Sequence, residues 1–260
     1  MNQPGKTLSR LTLAACCCLT PLSSGLFAQS TPLLSDDFES GRLDAKWEQR
    51  AAGAATVQVQ QAETAHGKYA LQVHYPTGAT QSYAFLIAPH LPEAVKGHLF
   101  GRAYVKIAPA TPPSHTVLLL AGGPGWPISK FEEIGVSHGK VQPSYQENKS
   151  PRGQGRGEDV RHGDDVPMGK WFLLEWEFND NPSTLTVWID GKKSPVTEGG
   201  QSVDFSSFKW PRENSATSNL VGGFEEFGIG ARVWGPAVEQ GFDIYYDDVA
   251  VGTERLGPVK

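Results

Sequence analysis

Between residues 98 and 107 the chain alternates between two kinds of side chain. Leu99, Gly101, Ala103, Val105 and Ile107 are small or apolar. His98, Phe100, Arg102, Tyr104 and Lys106 share the other parity. Successive side chains of a strand point to opposite faces. The pattern therefore predicts a strand with one dry face and one face carrying a cation, a phenol, an imidazole and a ring. Similar readings predict strands near 57–61, 69–75, 83–88 and 115–121. A hairpin over 131–137 and 140–145 turns at His138-Gly139. A second joins 171–178 to 184–190, and two last strands cover 224–233 and 242–252. Residues 194–216 read as irregular, and 146–166 as a long polar loop of mixed charge. No helix or internal repeat emerges. Strands about every ten residues, separated by Gly and Pro, are the pattern of an antiparallel β-sandwich.

The start of the chain departs from this pattern. Lys6 and Arg10 precede a mostly apolar run from Leu11 to Leu22, and Ala28 closes a small-residue cleavage site. The run is too short to span a bilayer and reads as a signal peptide over 1–28. A lipobox-like Leu13-Ala14-Ala15-Cys16 is the lesser alternative. A short linker, 29–33, then leads into a single domain, 34–260. The expectation is a secreted protein, periplasmic or extracellular, with no membrane segment in the mature form and acting as a monomer.

Export changes the covalent picture. All three cysteines, Cys16 to Cys18, lie in the leader, so the mature domain has no disulfide. With Lys6 and Arg10 removed, 21 basic residues face 28 acidic ones, a balance of −7. That argues against nucleic acid as a partner. Any anionic substrate must then be met by local positive charge.

Several short motifs bear a resemblance. Gly169-Lys170-Trp171 with Glu175, followed by Leu185-Thr186-Val187-Trp188-Ile189-Asp190-Gly191, resembles paired strands of the concanavalin A-like jelly-roll superfamily. So does the pairing of Asp36-Asp37-Phe38-Glu39 with Tyr246-Asp247-Asp248-Val249. More narrowly, residues 98–105, His115 and the closing 251–258 resemble the core domain of the Cip1-like proteins. These are secreted proteins associated with plant cell-wall breakdown and similar to polysaccharide lyases acting on uronic acids. The resemblance implies an all-β jelly-roll sandwich of two antiparallel sheets with a concave groove, and an acidic polysaccharide as partner. It also implies a structural calcium ion tying the first strand to the last. Glu39 with Asp247 or Asp248 would supply carboxylates, and the His66-Gly67-Lys68 turn a carbonyl. The Glu-x-Asp-x-x-Glu motif of jelly-roll glucanases is absent. Glu132-Glu133 and Glu225-Glu226 are neighbours that face opposite ways, so neither pair fits retaining hydrolysis.

A uronate lyase needs a cation on the carboxylate, a base for the adjacent C–H, and an acid for the leaving oxygen. Arg102 suits the first role by its planar fork. Tyr104 and His115 suit the other two. His98, Lys106, Gln142, Tyr145 and Trp126 are expected to bind substrate. Structural roles compete for each: a hydrogen-bonded histidine, a tyrosine covering a groove, an arginine paired across strands. Trp171, Trp176 and Trp188 read as core, while Trp126, Trp210 and Trp234 lie in loops. Three functions stay open, namely a uronate polysaccharide lyase, a non-catalytic sugar-binding module and a glycoside hydrolase. This fold serves lectins as readily as enzymes.

Overall fold

The structure is a computed structural model that describes residues 31–108, 112, 115–125, 131–146, 163–180, 183–198, 201–204 and 223–259. The strands are β1 (Leu34–Asp36), β2 (Glu48–Ala52), β3 (Thr56–Gln60), β4 (Ala70–Tyr75), β5 (Tyr83–Ala88) and β6 (His98–Ala108). They continue with β7 (Thr116–Gly122), β8 (Phe131–Ser137), β9 (Lys140–Gln146), β10 (Phe172–Asp180) and β11 (Ser183–Ile189). The remainder are β12 (Lys192–Lys193), β13 (Pro195–Glu198), β14 (Gln201–Asp204), β15 (Glu226–Val233) and β16 (Phe242–Gly252). One 3-10 turn, Glu93–Val95, is the only helical piece among the described residues.

Two antiparallel sheets make a jelly-roll sandwich. The larger runs β12-β11-β10-β6-β16-β4-β3, with β1 also on β16. The smaller runs β2-β5-β15-β7-β8-β9. The predicted alternation of β6 holds: Leu99, Ala103, Val105 and Ile107 are fully buried between the sheets. They meet Leu86, Leu119, Ile134 and Ile229 of the facing sheet in one core. Gly101 is a packing position. A Cβ there would lie 2.2 Å from Trp176 Cζ2, and Trp176 stacks on Phe227 at 5.7 Å. Glycine at this point lets the indole lie flat against the strand and bridge the sheets.

Register shifts break the β7–β15 ladder between Ile229 and Arg232 and the β7–β8 ladder between Val117 and Leu119. Such irregularities leave ladder carbonyls without their strand partners. Tyr246, entering from the other sheet, places its hydroxyl 2.8 Å from Leu118 O and 2.6 Å from Gly230 O. The phenol thus joins the two sheets at the break, and full burial pushes its pKa well up.

Strands β5 and β7 lack alternation because both of their faces are covered. Phe85, Ile87, Val117, Leu120 and Phe131 form a second buried cluster on the outer side of the smaller sheet, with Tyr83 and Trp234 packed against it.

Two expectations need correction, and one strand had no counterpart in the sequence reading. Pro195–Glu198 and Gln201–Asp204 pair antiparallel as β13 and β14 rather than being irregular chain. β2, unmarked by alternation, pairs with β5. Trp171 and Trp188 are only partly buried and stand outside the core, against Tyr245 and under Arg255; Trp176 alone of the three is core.

Candidate functional site

β6 carries its polar residues on the outer side of the larger sheet, as its parity requires. His98 Nε2 lies 2.8 Å from Glu177 Oε1, and Lys106 Nζ donates to Glu63 Oε2 at 2.6 Å. Arg102 donates through Nη1 to Gly257 O at 2.9 Å. Tyr104 meets the edge of His66 at 4.6 Å, and burial raises its pKa. Residues 253–259 close over this patch. Arg255 forks onto the buried carboxylate of Glu175 at 3.0 and 2.7 Å.

His115 lies on the other side of the sandwich. It precedes β7 in the smaller sheet, and its Nε2 stands 2.8 Å from Oε1 of Glu133 on β8. Glu133 pairs in register with Leu120, a member of the outer apolar cluster, so its side chain points away from the core. Arg102 and Tyr104 are therefore separated from His115 by both sheets and the core between them. The expected trio does not converge.

A different set does converge around His115. The residue adopts φ +56°, a left-handed backbone that L residues rarely take. Its carbonyl accepts the Trp234 N–H at 3.0 Å, and the two rings meet edge to face at 6.5 Å. Arg232 lies over the Trp234 ring, Cζ to centroid 3.6 Å. It is a cross-strand neighbour of Val117 and Tyr83. Burial lowers the Arg232 pKa, while the Glu133 charge acts to hold the proton on. Gln142 is buried and pairs with Gly135, one alternation along the same face from Glu133. A carboxylate-backed imidazole, a fixed guanidinium, an amide and a phenol thus share one face.

Glu133, Arg232 and Tyr83 escaped the sequence reading. The available signal was charge inside otherwise apolar strands: Glu132-Glu133 within Phe-Glu-Glu-Ile-Gly-Val, and Arg232 within Gly-Ile-Gly-Ala-Arg-Val. Trp126 lies outside the described residues. Tyr145 is in β9 opposite Glu132, and its side chain is outside the described part.

The metal expectation meets a different donor pattern. Asp247 is buried at the register shift of β16, between Asp247 and Ala250. Its Oδ2 accepts N–H bonds from Ala65 and His66 at 2.9 and 3.0 Å. Glu39 Oε1 accepts from Lys68 and Tyr69 at 2.8 and 2.9 Å. Asp248 Oδ2 sits 2.5 Å from His66 Nδ1. The turn after β3 thus offers N–H groups to these carboxylates. Among the described residues, no three His, Cys, Asp or Glu side chains form a group that could hold a metal ion. Calcium at Glu39, Asp247 and Asp248 therefore rests on the resemblance alone, and no step below runs through a metal.

Two solved structures are similar over nearly their whole length. One is "Cellulose induced protein, Cip1", at TM-score 0.58 and 18% identity, covering 87% of this chain and 100% of that one. The other is an endo-β-1,4-glucuronan lyase from the fungus Trichoderma reesei, at TM-score 0.55 and 15% identity, covering 86% and 96%. At these identities the likeness shows a shared fold, the concanavalin A-like jelly roll. No protein-family model matches the sequence, and no curated protein matches it by sequence.

Proposed function

We propose that this protein is a carbohydrate-active lyase that cleaves a uronic-acid polymer of glucuronate type by β-elimination, using the outer face of the smaller sheet. The observation that carries the reading is the 2.8 Å contact between His115 Nε2 and Glu133 Oε1 on the face that also holds Arg232. Arg232 neutralises the sugar carboxylate, so that the neighbouring C–H becomes acidic. His115 removes that proton through Nδ1, while Glu133, against Nε2–H, stabilises the imidazolium. The electron pair of the C–H bond becomes a carbon–carbon double bond, and the bond to the glycosidic oxygen one carbon further on breaks. The imidazolium returns its proton to that oxygen. Gln142 and Tyr83 line the same face and orient the ring. The glucuronan lyase of the same fold supports this substrate class, and the leader read in residues 1–28 suits a protein that meets polymer outside the cytoplasm.

A sugar-binding module is the second reading. It gains from the separation of Arg102 and Tyr104 from His115, because residues that looked catalytic in the sequence serve elsewhere. One screen separates the readings. Purified protein is mixed with glucuronan and other uronic-acid polymers while ultraviolet absorbance and reducing ends are followed. The lyase produces both signals together. A hydrolase produces reducing ends alone, and a binder produces neither while still retaining polymer.

A further inference from the structure

Arg102 plays no part in the elimination face, and its own surroundings are incomplete. The residue is 7% exposed. A guanidinium carries five N–H donors, yet among the described residues Arg102 makes one hydrogen bond, from Nη1 to Gly257 O. It has no ion-pair partner there, and Nε is buried without an acceptor. Buried donors are almost always satisfied, so a guanidinium this idle marks a place where something else supplies acceptors.

Arg102 is part of the wall of a cleft of about 310 Å³, together with Asp36, Asp37, Asp44, Lys46 and Asp248. The cleft forms where β16 changes partners. Residues 242–246 pair with β4, residues 249–251 pair with β1, and the register shift between brings Asp248 to φ +49°. Lys46 lies 3.2 Å from Asp36 and 3.7 Å from Asp44. Asp37 is exposed at the rim.

The lining selects its ligand by charge. Four carboxylates against two cations repel a polyanion. Arg102 and Lys46 oppose a small cation, and no metal-holding group of side chains occurs among the described residues. A neutral polyol answers both signs, because each hydroxyl can accept from the guanidinium and donate to a carboxylate. The volume is at the lower end of small-ligand pockets, which span about 300–1,000 Å³. We propose that this cleft binds a neutral sugar residue of a glycan chain, with Arg102 as donor and Asp37 and Asp248 as hydroxyl acceptors. It lies across the sandwich from His115, so it holds a chain without competing for the elimination face.

The test is calorimetric titration of the full-length protein with neutral cello- and xylo-oligosaccharides, and in parallel with glucuronate oligosaccharides. A neutral oligosaccharide has no carboxylate to support elimination, so the outcome is independent of the lyase reading. The expected result is saturable binding of at least one neutral series, weakened by about tenfold or more in Arg102→Gln and in Asp37→Ala. Should Arg102→Gln fail to fold, Asp37→Ala at the exposed rim decides alone. The proposal is overturned if neither neutral series binds, if binding is unchanged in the folded variants, or if glucuronate oligosaccharides are the ligands that depend on Arg102.

Discussion

The imidazole of His115 and the carboxylate of Glu133 stand 2.8 Å apart, Nε2 to Oε1, on the outer face of the smaller sheet. The histidine comes from the residue that leads into β7 and the glutamate from the middle of β8. Two adjacent strands thus supply base and orienting group, and β15 supplies the cation. Glu133 is only 2% exposed, so its charge acts on the imidazole through little water.

Replacing Glu133 by Gln keeps the shape but removes the charge that stabilises the imidazolium. Turnover on glucuronan is expected to fall by about a hundredfold or more, within the range of general acid–base contributions. The rise of rate with pH should also move. A variant with unchanged rate and unchanged pH profile would assign Glu133 to packing.

Arg232 Cζ lies over the Trp234 ring, 3.6 Å from its centroid. Lysine keeps the charge and loses both the fork and the stacking. Arg232→Lys is therefore expected to lower kcat/KM on uronate polymer by about 10²-fold, the scale of losing a positioned charge in the transition state. Full activity in a folded Arg232→Lys protein would show that the carboxylate is met by another group.

Much of the fold was legible because alternation is a physical record of which face is wet. β6 and β4 have one dry face each, and their parity located them. The bounds of β5 and β16 agree with the predicted 83–88 and 242–252. The site was less legible for the same reason. On β5, β7 and β8 both faces are buried, so no alternation distinguishes core from outer side. Parity there cannot say that Glu133 looks outward beside Leu120. Arg102 drew attention because it sits among polar neighbours on an alternating strand, yet that polarity belongs to the outer face of the larger sheet, partly covered by residues 253–259. The relation of His115 to β6 depends on which sheet β7 joins, and sequence spacing carries no record of that.

Gly101→Ala tests the inter-sheet packing. The added Cβ would lie 2.2 Å from Trp176 Cζ2 and 2.3 Å from Cε2, and Trp176 is fully buried against Phe227. Overpacking of this kind costs about 1–3 kcal/mol. A clear drop in Tm is expected, with loss of near-ultraviolet tryptophan signal, measured by thermal denaturation followed by circular dichroism. An unchanged Tm would mean that the indole has room to move.

Asp247 makes stability depend on pH. Burial, with the Asp248 charge adding to it, raises its pKa from 3.8 to about 6, although N–H bonds from His66 and Ala65 pull the other way. The folded protein therefore binds this proton more tightly than the unfolded chain does. The contribution is present below the unfolded pKa and is lost as pH rises through about 6. Taking wild type from about pH 7 to about pH 5 should thus stabilise it by about 1 kcal/mol relative to Asp247→Asn. Urea midpoints of both proteins at the two pH values measure the difference. Equal pH responses would show that Asp247 does not titrate in this window.

The most direct test of the central claim is the initial rate of ultraviolet absorbance on glucuronan for wild type and His115→Ala, with Tm measured on both. The account predicts an unsaturated product from wild type and a loss of about a hundredfold or more in a variant that still melts cooperatively. A folded His115→Ala protein that eliminates at the wild-type rate would contradict it.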